Sequence, residues 1–225
     1  MSSTYNIAID GPAGAGKSTI AKLVAAKLGF IYVDTGAMYR AMALYFLENG
    51  IQPEDEEKVS AACGQIDISL RYQEGVQQVI LNGRDVSGKI RTEAVGNAAS
   101  VVSAYRAVRQ ALLALQQNLA KTSNVIMDGR DIGTVVFPDA ELKLFVTASP
   151  EVRAKRRVDE LEAKGIPASY EEVLENVKKR DYIDSTREES PLRQADDALV
   201  LDNSHMTLDE QKAWLLEQYH KAIGS

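Results

Sequence analysis

The residues best placed to do chemistry come first, in "IDGPAGAGKST" at 9–19. From Gly11 the order is glycine, four residues, Gly16, Lys17 and Ser18, the spacing of a loop whose backbone N–H groups cradle the phosphates of a nucleoside triphosphate. Pro12, Ala13, Gly14, Ala15 and Thr19 complete the loop. The apolar run "YNIAID" precedes it, and Ile20, Leu23, Val24 and Leu28 follow at helical spacing, so the glycines fall between a strand and a helix. Inward-facing N–H groups and the positive end of the helix dipole favour an anion there. Lys17 is expected to reach the β and γ phosphates and Ser18 to meet Mg²⁺; a plain glycine-rich turn is the alternative.

Four charged clusters could serve a second substrate. "DTGAMYR" places Arg40 about one helical turn beyond a strand end, and "DGRD" sets Arg130 between Asp128 and Asp131 directly after an apolar run. In "KRDYIDSTR", Arg180, Asp184 and Arg187 are spaced to share one helix face. "RAKRRVDE" gathers Arg153, Arg156 and Arg157. Phosphoryl transfer needs fixed cations around the oxygens that carry the moving charge, and converging arginines suit it. Each cluster also has an ordinary reading: Arg40 as a solvated helix residue, Asp128 as a carboxylate working on Mg²⁺, "DGRD" as a turn cap, the Arg180, Asp184 and Arg187 set as a surface ion-pair ladder, and the Arg153 group as a basic solvated face balanced by Asp159 and Glu160.

These groups need a scaffold, and the chain supplies one. It has 225 residues with 45% hydrophobic and 26% charged content, enough for one core with additions. No apolar run approaches the roughly 20 residues of a membrane helix, and "MSSTYN" does not read as a signal peptide, so a cytoplasmic protein is expected. A net charge of −6 argues against a general nucleic-acid surface. Cys63 is the single cysteine and reads as structural; His205 and His220 lack metal-ligand spacing.

Further apolar strands are expected at 30–36, 124–131, 141–149 and 197–204, alternating with helices, which implies a parallel sheet covered on both faces. "IDISLRY" and "VQQVILNGRDV", with an Asn82-Gly83 hairpin signal, instead form a small antiparallel sheet inserted before the helical spacing of Val108, Leu112, Leu115 and Leu119. Ligands of a parallel sheet bind beyond the carboxyl ends of its strands. That singles out the glycine-rich loop, 34–40 and 128–131.

"IDGPAGAGKST", "VDTGAMYR", "VSGKIRTEAVGNAAS", "MDGRDIGTVVFPDA" and the RDxxDxxR of "RDYIDSTR" together resemble bacterial cytidylate kinases over essentially the whole chain. The resemblance implies an α/β P-loop nucleoside-monophosphate-kinase fold: a parallel five-stranded sheet flanked by helices, one core over 1–225, a small antiparallel monophosphate-binding insert at about 63–100, and a helical lid at about 150–168. It implies transfer of the γ-phosphoryl group of ATP to CMP or dCMP by a monomer with Mg²⁺, with Lys17, Arg40, Arg130 and Arg187 catalytic. Arg40, Arg130 and Arg187 would hold the acceptor phosphate with Thr35 beside it, and guanidinium forks suit that task. Ser100, Arg109 and Asp131 would read cytosine, Arg180 and Asp184 would hold the ribose hydroxyls, and Arg153 and Arg157 would close over ATP. Asp34 and Asp128 could position waters of the metal. The P-loop and arginines alone leave other acceptors open, among them UMP, AMP, shikimate and gluconate. A GTP-binding switch would need an Asn-Lys-x-Asp guanine-reading motif, which does not occur.

Overall fold

The structure, a computed structural model, describes residues 4–224; Met1 to Ser3, part of the segment read as lacking a signal peptide, and Ser225 lie outside. Five strands form the main sheet: β1 (Asn6–Asp10), β2 (Ile31–Asp34), β6 (Val125–Gly129), β7 (Leu142–Thr147) and β8 (Leu199–Asp202). Their spatial order is β2-β6-β1-β7-β8, every pairing parallel, with Asp10 opposite Gly129 at the carboxyl end. The chain leaves β1 toward β2 on one side and fills the other side later, so β1 lies at the point where the strand order reverses. Ligand crevices open at such points.

Alternation along the strands explains the two covered faces. Ile7, Ile9, Ile126 and Leu144 pack with Ile20 and Val24 of α1 (Lys17–Leu28) and Leu215 of α8 (Leu208–Ile223). Ala8, Val33 and Met127 point the other way, toward Ile132, Val136 and Phe137 in and after a wide helical turn at Ile132–Val136.

A second core joins α2 (Thr35–Glu48), α3 (Glu56–Ala62), the expected antiparallel sheet of β3 (Ile68–Gln73), β4 (Val76–Leu81) and β5 (Arg84–Asp85), then α4 (Glu93–Val102) and α5 (Arg106–Leu119). Phe46, Met42, Leu81 and Ile90 are fully buried in it. Asn82-Gly83 makes the β4–β5 turn with φ of 47° and 80°, the left-handed pair its sequence favours. The β3–β4 turn uses Glu74-Gly75 at 51° and 77°, which carries a weaker sequence signal.

The arginine-rich segment forms α6 (Pro150–Ala163), started by Pro150 after the Ser149 cap, and packs on α7 (Tyr170–Thr186). The expected shared face of Arg180, Asp184 and Arg187 is present, with all three bordering one cavity, although the helix stops one residue short of Arg187. Arg187 lies just past the end of α7 with extended backbone (φ −61°, ψ 144°), although its N–H still bonds Ile183. Among the described residues, no helix is long and apolar enough to cross a membrane.

Candidate active site

The glycine-rich loop leaves β1 where the sheet crevice opens. Gly11 adopts φ +146°, and a Cβ there would lie 1.9 Å from the Val146 carbonyl oxygen, so only glycine lets the loop pass β7. Gly16, with φ +83°, caps α1 without a side chain and leaves the first N–H groups of the helix for a ligand. Lys17 is buried and folds back over its own loop, its Nζ donating to the carbonyls of Gly11 and Pro12, each at 2.8 Å. Burial and the neighbouring Arg130 charge push the Lys17 ammonium down to about 7.

A polyphosphate seated in the loop supplies negative charge that restores the protonated form. ATP binding at pH 8 is therefore expected to take up close to one proton at Lys17, read by calorimetry in buffers of different ionisation enthalpy. Uptake of the same size in Lys17→Met would contradict this assignment.

Asp128, at the carboxyl end of β6, is the hub beneath the loop. Its Oδ2 accepts the Ser18 hydroxyl and its Oδ1 the Tyr32 hydroxyl, both at 2.8 Å, and its carbonyl accepts the Thr35 hydroxyl at 2.8 Å. Burial, then the nearby Asp34 charge, raise its carboxyl above the ordinary range. Asp34 is held below that range: burial opposes ionisation, but the guanidinium groups of Arg40 and Arg91 overcome it. Arg40 and Arg91 each reach Asp34 Oδ2 at 3.1 Å, and Asp34 Oδ1 caps α2 through the Ala37 N–H at 2.9 Å.

The remaining arginines converge from three elements. Arg130 Nε donates to Asp184 Oδ2 at 2.7 Å, and Arg187 lies 3.6 Å from the other oxygen of Asp184. Arg109, at the start of α5, pairs with Asp131 and donates to the Ser103 carbonyl at 2.9 Å. Arg180 projects toward the same cleft, where burial and Arg130 push its guanidinium down to about 10. The Nε atoms of Arg40 and Arg180 and the hydroxyl of Ser100 are buried without a hydrogen-bond partner. Unsatisfied buried donors are costly, so such a concentration marks a place completed by a ligand.

Two abutting cavities collect these groups. The larger, about 640 Å³, runs from the P-loop past Asp128 and Arg130 to Arg153 and Arg157. The smaller, about 60 Å³, is bordered by Thr35, Ser100, Arg109, Asp131, Asp184 and Arg187. Arg40, Arg130 and Arg180 border both.

The three arginines of α6 do different things. Arg153 is buried and makes a fork to Asp181 (2.9 and 2.5 Å) while donating to the Ala13 carbonyl at 3.0 Å, so it braces the loop from behind. Arg156 binds Asn203, whose amide in turn donates to the Ala15 carbonyl at 2.8 Å. Arg157 faces the cavity and pairs with Glu160.

Asp10, Tyr32, Arg91 and Asn203 carry site structure that residue spacing did not flag. Arg91 lies within "SGKIRT", and Asp10, at the end of β1, meets the same strand-end rule as Asp34 and Asp128. Its carboxylate accepts the N–H groups of Ile132 at 2.8 Å and Gly133 at 2.7 Å, and burial raises it to about 6 despite them. It thereby anchors the backbone just after Asp131. Tyr32 and Asn203 give no signal in the sequence.

A P-loop at the reversal of a parallel sheet, with arginines from several elements aimed into the adjoining crevice, defines a P-loop kinase for a small anionic acceptor. The chain belongs to the cytidylate kinase family, whose model matches residues 7–221. It is 66% identical over 224 residues to the cytidylate kinase of Parabacteroides distasonis, covering 97% of this chain and 98% of that one. With the cytidylate kinase of Bacteroides fragilis it shares 55% identity over 222 residues, 96% of this chain and 97% of the relative. Among solved structures, an uncharacterized protein from Eubacterium ventriosum superposes with a TM-score of 0.51 at 11% identity, covering 96% and 98% of the two chains; that likeness concerns the fold alone.

Proposed function

We propose that this enzyme transfers the γ-phosphoryl group of ATP to CMP or dCMP, giving ADP and the cytidine diphosphate. One observation carries the acceptor assignment. The orphaned Ser100 hydroxyl, with the Arg109–Asp131 pair, faces a small cavity whose far side is the arginine cluster beside the P-loop. A nucleoside monophosphate fits that sequence of surfaces, base against Ser100 and Asp131, phosphate against Arg40, Arg130 and Arg187.

Cytosine offers an exocyclic amine to a carboxylate and accepts at N3 and O2; uracil has no amine to give, and a buried carboxylate facing it would stay unpaired. Arg180 and Asp184 lie between base and phosphate, where the ribose hydroxyls fall. The insert of about 63–100 presents Ser100 and Arg91 to the acceptor, and the segment of about 150–168 presents Arg157 to ATP.

The P-loop N–H groups and Lys17 hold the donor phosphates. Arg130 and Arg187 fix the acceptor oxygen in line and meet the charge that builds on the moving group. The acceptor is a phosphate already ionised near neutral pH, its second ionisation being about 6, so no side chain need remove a proton.

Mg²⁺ fits the residues present. Among the described residues no cluster of three acidic or imidazole ligands exists, while Ser18 and the carboxylates of Asp34 and Asp128 border the phosphate site. Such a sparse set suits a cation that keeps its waters and binds mainly through substrate phosphates. When bound it supplies neutralisation of the β and γ oxygens. A cytoplasmic enzyme working on free nucleotides is consistent with all of this.

Phosphorus NMR tests the assignment. With ATP, Mg²⁺ and CMP, the CMP monoester resonance is expected to give way to the paired resonances of CDP as ADP accumulates. Decay of ATP to ADP and inorganic phosphate with CMP unchanged would refute it.

A further inference from the structure

β2 is an edge strand, bonded to β6 on one side only. Within a strand, the N–H and C=O of one residue point to the same side and those of its neighbour to the other. Tyr32 and Asp34 therefore turn their backbone groups outward, away from β6, where an uncovered edge invites pairing. The insert covers them with side chains rather than with another strand. Gln77 of β4 accepts the Asp34 N–H at 2.9 Å and donates its amide to the Asp34 carbonyl at 3.2 Å, while Tyr72 of β3 donates its hydroxyl to the Tyr32 carbonyl at 3.3 Å. A glutamine carboxamide carries both an N–H donor and a C=O acceptor, as a peptide group does, and so can complete both open backbone sites of a single residue.

Asp34 is where this docking meets the chemistry. Its carboxylate caps α2, on which Arg40 sits one turn later, and binds Arg40 directly. Arg91, in the connection from β5 to α4, lands on the same oxygen. The insert thus touches Asp34 twice, at the backbone through Gln77 and at the side chain through Arg91. Gln77 itself lines neither cavity.

We propose that Gln77 is a positioning residue for the acceptor side: its carboxamide docks the antiparallel insert on the open edge of β2 and fixes Asp34 and, through it, Arg40. This rests on the reading that Arg40 holds the acceptor phosphate. Because the contact falls at the end of the strand that carries Asp34, losing it loosens the monophosphate site and leaves the P-loop and Lys17 in place.

The test is Gln77→Leu, with Gln77→Asn, one methylene too short to complete the pair, as a second variant should the first fail to fold. In either, KM for CMP is expected to rise about tenfold while KM for ATP and kcat stay within about twofold, the signature of lost binding on one side only. Amide exchange at Asp34, followed by NMR on the nucleotide-free protein, is expected to accelerate at least about tenfold. Tyr72→Phe, which removes the neighbouring contact and spares Asp34, is expected to shift KM for CMP by less than about twofold. An unchanged KM for CMP, unchanged exchange at Asp34, or an equal rise in Tyr72→Phe would each overturn the role of Gln77. Failure of the functional reading is separate, because the parent enzyme would then show no CMP-dependent ADP release.

Discussion

Arg130→Ala is expected to lower kcat by about 10³-fold, with a much smaller change in KM for ATP, in steady-state ADP release at saturating CMP. Arg130 stands where the two cavities meet, beside the P-loop and directly after β6. From there a guanidinium can touch the acceptor phosphate and the moving phosphoryl group together, so its charge is worth more in the transition state than before it. The Asp184 contact holds the fork in a fixed orientation, which spares reorganisation during the reaction. Arg130→Lys keeps the charge but loses the planar fork and should recover part of the lost rate. Turnover within a few-fold of the parent in Arg130→Ala would remove this residue from the reaction.

The second large effect is on selectivity. Asp131→Asn is expected to lower kcat/KM for CMP by about 10²-fold or more and to narrow the preference for CMP over UMP, since a site built to receive an amine rejects analogues that lack it. Asp131 is buried and paired with Arg109, which lies over the Tyr39 ring, 5.2 Å from guanidinium carbon to ring centroid. Removing one charge from such a pair leaves the other uncompensated, so the variant should also melt earlier. Kinetics measured below its melting transition separate the two effects. A preference for CMP over UMP equal to that of the parent would place base reading elsewhere.

How much of this was legible in the sequence depends on the distance over which each interaction acts. The P-loop was legible because its chemistry is local: the end of an apolar strand, Gly11, Gly14 and Gly16, and Lys17 fall within one stretch of chain. The parallel strands were legible because runs such as Val125–Gly129 are buried along their whole length. Asn82-Gly83 announced its hairpin through the φ values those residues tolerate. Arg180, Asp184 and Arg187 were legible as one face because their spacing is helical, and Arg187, the cap residue just past Thr186, still lies 3.6 Å from Asp184.

Other features are set by topology alone. Asn203 and Ala15 meet across 188 residues, and Tyr32 and Asp128 across 96; nothing in either local sequence names its partner. Arg153 is instructive, since the family resemblance implies that it closes over ATP together with Arg157. In the fold all three arginines of α6 border the larger cavity, but Arg153 is engaged by Asp181 and Ala13 and Arg156 by Asn203, while Arg157 pairs only with Glu160 of its own helix among the ion pairs and hydrogen bonds of the described residues. Sequence spacing identified the helix; only the packing of α6 on α7 divides the roles among its arginines.

The most direct measurement of the central claim is ADP release from ATP and Mg²⁺ by the purified protein against a panel of CMP, dCMP, UMP, AMP, GMP, shikimate and gluconate. Stimulation by CMP and dCMP far above every other acceptor is the predicted result. Greater stimulation by any other member of the panel, or release that ignores the acceptor altogether, would contradict it.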